Sequence, residues 1–377
     1  MRTRTRHNQG DDAHEPPPRK SMIVPRAEPR TANRLESDSR IQWPEVWTPF
    51  PSICQVQVAR IQRRSIEWAD EFELFRDPKV RSKFAAARFG WLVSRCFHYG
   101  SEPRLQAITD LTTWIFVEDD DCDEGPAGSH PAYLRGLYDR LRRYLSGALP
   151  LARTPLDLAF HELSGRLARL ASEDSWHKRF CQTLSDYFDS SVWEAENRQA
   201  SAAPTMEGYR SMRRVTGGLP IYIDLIELAM GESLPIALRR HPLIVELANI
   251  TNDVTCWHND IYSFAKESRA GDVHNLIPCL QREHKIDLEQ ATALAVKNCD
   301  AKIERFIALV EALLFAGQRP PDVVFRYVTA LSAIIQGNVD WSYESARYGS
   351  RARAVSTRAV QSSGPSRTTI TAKRRGA

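Results

Sequence analysis

The stretch NDVTCWHNDIYSFAKESRAGDVHNL, residues 252–276, carries more information than any other in the chain. On a helix of 3.6 residues per turn its Asn259, Ser263 and Glu267 stand at i, i+4 and i+8, so an amide oxygen, a hydroxyl and a carboxylate line up along one face. Hard cations such as Mg2+ take oxygen ligands in octahedral geometry, keep several waters and are completed by the phosphate oxygens of a substrate. A solvated polar face would show the same ladder. Upstream, Leu243, Ile244, Val245, Leu247, Ile250 and Val254, followed by Trp257 and Ile261, make the helix apolar on more than one side. Such a helix belongs at the centre of a many-helix bundle.

A second stretch favours the cation. The run WIFVEDDDCDE, residues 114–124, begins apolar and ends in a burst of carboxylates. Read as DDxxDE, Asp119 and Asp123 share a face at i, i+4, while Asp120 lies about 100° round the helix. Adjacent acids repel one another unless a cation neutralises them. The structural alternative is an acidic helix end spilling into the loop Gly125 to Gly128. Acids, however, stabilise helix N-termini and destabilise C-termini, and this cluster sits at the C-terminal end.

Together the two segments resemble the metal motifs of class I terpene synthases: an aspartate-rich motif, here DDDCDE at 119–124, and an NSE motif, here NDIYSFAKE at 259–267, followed by GDVHNL at 271–276. The resemblance extends over roughly residues 42–349. The NSE string is specific; a lone DDxxD is not. What the resemblance implies is an all-α fold, a single class I terpenoid synthase-like helical bundle enclosing a central cavity. The implied activity is that of a carbon–oxygen lyase: Mg2+-dependent ionisation of an allylic prenyl diphosphate, farnesyl diphosphate first, with cyclisation to a sesquiterpene and release of diphosphate. Three Mg2+ ions are implied, one on Asn259, Ser263 and Glu267 and two on the aspartate-rich side, chiefly through Asp119, with Asp120 and Asp123. Register there stays open, since Asp120 to Glu124 also spells DDxxE. Asp119 is preferred as the first ligand because Phe116 then stands three residues before it, where the family tends to carry an aromatic cavity residue.

The segment YRSMRRVTGG, residues 209–218, resembles the family's diphosphate-sensing region. Arg213, 46 positions before Asn259, is assigned as the sensor over Arg210 and Arg214, with Thr216 and Gly217 at the linker and effector positions. Thr-Gly-Gly-Leu-Pro breaks a helix and frees carbonyls, although an ordinary kink would also use these residues. WSYESARY, residues 341–348, resembles the family's terminal RY pair, in which Arg347 and Tyr348 would donate hydrogen bonds to the diphosphate. Lys266 is a further phosphate contact or a solvated neighbour. Carbocations need a dry pocket with aromatic faces, for which Phe116 and Trp341 are the candidates, with Phe89 and Trp91 behind them. Glu194 sits in a family-like context without an assigned role. No general base is required, because released diphosphate can take the proton; His258 reads as a core histidine.

The rest of the chain bounds these readings. Its 377 residues are 42% hydrophobic, enough for one large core. The formal charge is +4, but residues 1–40 carry +3 and 351–377 carry +7, leaving −6 for residues 41–350, so nucleic-acid binding has no support. Seven scattered cysteines without a CxxC pair fit thiols in a reducing compartment. With no apolar leader and no run of 18 apolar residues, a cytoplasmic protein without stable membrane insertion is expected. Helical patterns are predicted over 55–76, 79–99, 103–121, 131–149, 155–171, 174–200, 205–215, 219–230, 241–268, 285–317 and 320–349. The predicted organisation is a disordered tail to residue 40, one α domain over 41–349 entered by a proline-punctuated strap, and a disordered basic tail from 350. A prenyl diphosphate is the expected partner, with a homodimer left open. The rival readings are a geranylgeranyl diphosphate cyclase, a chain-elongating prenyl transferase, which should show a second aspartate-rich motif in place of NDIYSFAKE, and an inert helical binding protein. The DxDD motif of protonation-initiated cyclases does not occur.

Overall fold

Among the described residues helices follow one another from residue 58 to residue 344, in the order α1 (Val58–Glu71), α2 (Pro78–Ala87), α3 (Phe89–Cys96), α4 (Glu102–Glu124), α5 (Pro131–Leu145), α6 (Pro155–Leu170), α7 (Asp174–Gln199), α8 (Met206–Thr216), α9 (Leu219–Met230), α10 (Ile236–Arg239), α11 (Pro242–Ala270), α12 (Leu276–His284), α13 (Leu288–Phe315) and α14 (Asp322–Glu344). Short 3-10 turns occupy Pro126–Ser129 and Ala346–Tyr348. The computed structural model describes residues 23–25, 46–124, 126–148, 154–200, 202–315 and 320–348, without the side chains of 23–25, 123, 124, 126, 127, 270 and 315. Apart from 23–25, the expected tails lie outside these residues. The chain is all-α, with one addition: β1 (Ile23–Pro25) pairs antiparallel with β2 (Ala202–Pro204), Ile23 opposite Pro204.

Two departures from the sequence reading have local causes. The single helix expected over 79–99 is two helices, because Arg88 turns left-handed at φ 57° between α2 and α3. The break lets Gly90 approach α1, where its N–H donates to Gln62 Oε1 at 2.7 Å. No helix is predicted between 268 and 285, yet α12 lies there and runs through Pro278. Pro278 falls in the first turn, where a missing N–H costs nothing, and Asn275 caps the helix by accepting from Ile277 N–H at 2.9 Å. Helix α2 starts as its sequence dictates: Asp77 accepts from the N–H groups of Lys79 and Val80, with Pro78 at the first position.

Helix α11 is the central element, packed between α13 and α14 and touched by α8, α9 and α12. Leu247, Val254 and Ile261 are wholly buried along it, which is why its apolar residues are not confined to one stripe. Helix α14 lies close against α3; a Cβ on Gly337 would come 2.8 Å from Cys96 N, so glycine permits the approach. Of the strap expected over Trp43 to Pro51, residues 46–51 lie among those described, and the segment leads on to α1. Thr48 Oγ1 donates to Gln336 at 2.6 Å, Phe50 meets Phe306 edge-on at 5.4 Å, and Gln55 N–H donates to Ser94 O at 3.1 Å. All seven cysteines are free thiols. No helix among the described residues is long and apolar enough to cross a membrane.

Candidate active site

A hollow of about 1240 Å³, open mouth included, lies among α3, α4, α7, α8, α9, α11 and α14. One end is apolar, built from Leu92, Ile115, Leu219 and Ile334. One turn along α4 the wall changes from Ile115 to Asp119, and at the same end α11 presents Asn259, Ser263, Lys266 and Glu267. The two oxygen-bearing stretches, more than a hundred residues apart in sequence, therefore face one space.

Ser263 is buried, and its Oγ makes no well-formed hydrogen bond among the described residues, although it stands close enough to Glu267 to help hold that carboxyl down. Burial pushes the Glu267 carboxyl up to about 7, with neighbouring Asp260 adding to the rise and Arg213 and Asn275 opposing it. Loss of bulk water likewise raises Asp119 to about 7, against the pull of Arg347 and with Asp120 and Glu118 repelling its charge. A hydroxyl without a well-formed hydrogen bond and two carboxyls that resist ionisation fit residues that lack a cation, and the all-oxygen donor set suits a hard divalent one. No three His, Cys, Asp or Glu side chains converge as a ready cage among the described residues. That agrees with a donor set that includes an amide and a hydroxyl and leaves positions for phosphate oxygens.

The other aspartates do different things. Asp120 is buried and paired with Lys83 Nζ at 3.0 Å and Arg347 Nη2 at 3.3 Å. It lines a smaller cavity beside Phe84 and Phe89, not the hollow. Asp121 pairs with Arg76. The Asp123 side chain lies outside the described residues. Lys266 lies 3.9 Å from Asp120 Oδ1.

Arg213 reaches the hollow from the last turn of α8. Its Nη2 donates to Asp260 Oδ1 at 2.5 Å and to Asn259 Oδ1 at 3.0 Å. Asp260 is itself fixed by the Tyr209 hydroxyl and by Leu276 N–H at 2.8 Å. Of the neighbouring arginines, Arg210 is exposed and Arg214 forks onto Asp253 at 2.7 and 2.8 Å. Thr216 and Gly217 line the hollow where α8 ends, and Gly218 takes φ 68° to start α9. A Cβ on Gly217 would stand 2.4 Å from Cys256 Sγ, so no larger residue fits beside α11 there.

After α14, Ser345 leaves helical geometry and the following turn brings Arg347 and Tyr348 back over the hollow. Arg347 bridges Asp119 at 3.4 Å and Asp120 at 3.3 Å and stands 4.3 Å over the Phe116 ring. The Tyr348 hydroxyl accepts from Asn259 Nδ2 at 2.8 Å. Trp341, anchored by Nε1–H to Ala87 O at 2.7 Å, faces Phe116 and Tyr348. Phe89 stacks behind Phe116 at 4.3 Å, and Trp91 lies under Arg88; neither lines the hollow.

One part of the wall was not assigned from sequence. Glu194 and Arg198 of α7 face Asp272 and His274, with Arg198 on Asp272 at 2.9 Å and His274 Nδ1 2.8 Å from it. Against burial, which acts upward, the hydrogen bond from His274 and the charge of Arg198 hold Asp272 well below the usual carboxylate range. The signals were the string GDVHNL following the NSE motif and the family-like context of Glu194, to which no role was given.

Residues 110–305 match the family model described as terpene synthase family 2, C-terminal metal binding. Germacrene A synthase of Nostoc punctiforme is 32% identical over 306 residues, covering 81% of this chain and 94% of that protein. The (+)-T-muurolol synthase ((2E,6E)-farnesyl diphosphate cyclizing) of Roseiflexus castenholzii is 32% identical over 301 residues, covering 80% and 92%. In fold the chain is similar to germacradien-4-ol synthase from Streptomyces citricolor, with a TM-score of 0.71 at 24% identity over 79% of this chain and 98% of that one. An all-α bundle, a half-apolar hollow, a family match that spans both oxygen-bearing stretches and relatives 32% identical over most of the chain lead to one assignment: the chain belongs to the class I terpene synthases, carbon–oxygen lyases.

Proposed function

We propose that the chain ionises farnesyl diphosphate and cyclises the resulting cation to a sesquiterpene, with Mg2+ as its metal. The observation that carries this reading is the shared hollow: Asp119 on one side and Asn259, Ser263 and Glu267 on the other, at the polar end of a pocket whose far end is apolar. The farnesyl chain length is supported by the likeness to a synthase named for that substrate. Asn259, Ser263 and Glu267 would hold one ion and the Asp119 side the other two; when bound, Mg2+ acts as a Lewis acid that stabilises the departing diphosphate. The proposed catalytic unit spans residues 41–349.

The chain's own residues do the remainder. Arg213, Lys266 and Arg347 direct cationic donors into the polar end, and guanidinium forks suit phosphate oxygens. Asp260 holds Arg213 in place, so the guanidinium meets the diphosphate without first being ordered. The Tyr348 hydroxyl can turn its proton toward the same anion, since in the present arrangement it accepts from Asn259. Phe116 and Trp341 offer ring faces to a cation formed beside Asp119, and the apolar end keeps bulk water from it. His258 does not serve as the base: it lies off the hollow, and burial lowers its imidazole to about 3. The proton lost at termination goes to the released diphosphate.

Incubation with geranyl, farnesyl and geranylgeranyl diphosphates and Mg2+, followed by mass spectrometry of volatiles, tests the reading. A cyclic C15 product from the farnesyl ester is expected. A C20 cyclic product would move the assignment to geranylgeranyl diphosphate, longer prenyl diphosphates would indicate chain elongation, and no conversion of any ester would defeat it.

A further inference from the structure

Thr255 stands one turn before Asn259 on the same face of α11 and lines the hollow. It is 5% exposed, and its Oγ1 makes no hydrogen bond among the described residues. A threonine inside a helix commonly returns its hydroxyl to the carbonyl four residues back. Thr251 does so on this helix, to Leu247 O at 3.0 Å, and Thr112 does so on α4, to Ile108 O at 2.8 Å. Thr255 forgoes that bond, which leaves a buried hydroxyl without a partner on a residue of the cavity wall.

Asn338 lines the same hollow from α14, which packs directly on α11. It is 8% exposed, and its Nδ2 meets His258 Nδ1 at 3.3 Å, which leaves Oδ1 as an acceptor. Around them the hollow is lined by Leu92, Cys96, Ile115, Leu219, Tyr222 and Ile334, and the Tyr222 hydroxyl is already given to Thr112 at 3.1 Å. A buried water needs two or more polar partners, and an unsatisfied hydroxyl in an apolar wall supplies the incentive to hold one.

Resting on the cyclase reading above, we infer that Thr255 and Asn338 hold a single water in the apolar end of the hollow, and that this water quenches the final cation to give a sesquiterpene alcohol. The water's oxygen lone pair forms the new C–O bond at the cationic carbon. The oxonium then loses one proton to the diphosphate released in the first step. Nothing is oxidised or reduced, and water is the one co-substrate. Thr255 and Asn338 act on the water, so both are positioning residues.

The test is turnover of farnesyl diphosphate in water enriched in oxygen-18, read by mass spectrometry. The wild-type product is expected to be an alcohol carrying the heavy oxygen. Thr255→Val, which removes the hydroxyl at nearly constant volume, should lower the alcohol-to-hydrocarbon ratio at least tenfold, and Asn338→Leu should do the same. Thr255→Ser, which restores the hydroxyl, should return the ratio to within about twofold of wild type. Because a ratio is read, a slow variant still reports. A wild-type product without oxygen, or a ratio indifferent to Thr255→Val, overturns the water site while leaving the cyclase reading intact. Absence of any farnesyl turnover by the wild type defeats both.

Discussion

Ser263 is a buried hydroxyl beside Glu267 that makes no well-formed hydrogen bond among the described residues, which costs stability unless a ligand makes the bond good. Ser263→Ala should therefore leave unfolding free energy unchanged or raise it by up to about 1 kcal/mol, while turnover of a prenyl diphosphate falls at least about 100-fold. Urea denaturation beside steady-state kinetics separates the two; a large loss of stability would make Ser263 a structural residue. Gly217 is the reverse case, a position defined by what cannot be there. Gly217→Ala drives a methyl into Cys256 Sγ and should cost about 1–3 kcal/mol. Adding Cys256→Ala should recover at least half of that loss, a coupling that a denaturant double-mutant cycle measures directly.

At the scale of elements, α4 ends in carboxylates that its own dipole disfavours. Three other parts of the fold compensate: Lys83 of α2 and Arg347 after α14 on Asp120, and Arg76 before α2 on Asp121. Helices α7, α9 and α10 are joined in another way. Arg179 and Arg239 both grip Asp224 and Glu227, two acids that are almost entirely buried on α9. Removing one cation leaves the two acids with a single arginine between them, and Arg239→Ala should destabilise the protein by about 2–3 kcal/mol in denaturant melts. A change below about 0.5 kcal/mol would mean that α10 is not held by this network.

For the molecule as a whole, titratable groups wholly or partly withdrawn from bulk water set opposing pH dependences. Burial holds His258 at about 3 instead of 6.5. As pH falls below 6.5 the unfolded chain takes up a proton that the folded chain refuses, so stability present above 6.5 is lost, with a slope of up to about 1.4 kcal/mol per pH unit. His258→Phe should flatten that limb of the stability profile between pH 6.5 and 5. Asp119 and Glu267, both raised to about 7, act with the other sign. The folded chain retains protons that the unfolded chain has released, so their cost grows as pH rises from about 4 to about 7 and stays above it. A divalent cation removes that cost and competes with those protons. Mg2+ should therefore raise the melting temperature more at pH 8 than at pH 6, and equal increments would argue against these two carboxyls as ligands.

By itself the sequence determined what is local: a run of helices from apolar periodicity and glycine–proline breaks, and an oxygen ladder whose spacing a helix converts into a single face. Helical geometry fixes the angle between neighbouring residues, so Asp119 and Asp120 had to point in different directions. Which of them faces the hollow depended on how α4 is rotated against its neighbours, and that rotation is set by packing contacts distant in sequence. For the same reason the grip of Asp260 on Arg213 and the bare hydroxyl of Thr255 could not be read from the chain. Each exists only because residues far apart in sequence compete for the same space or the same hydrogen bond, and only the tertiary structure decides which of them obtains it.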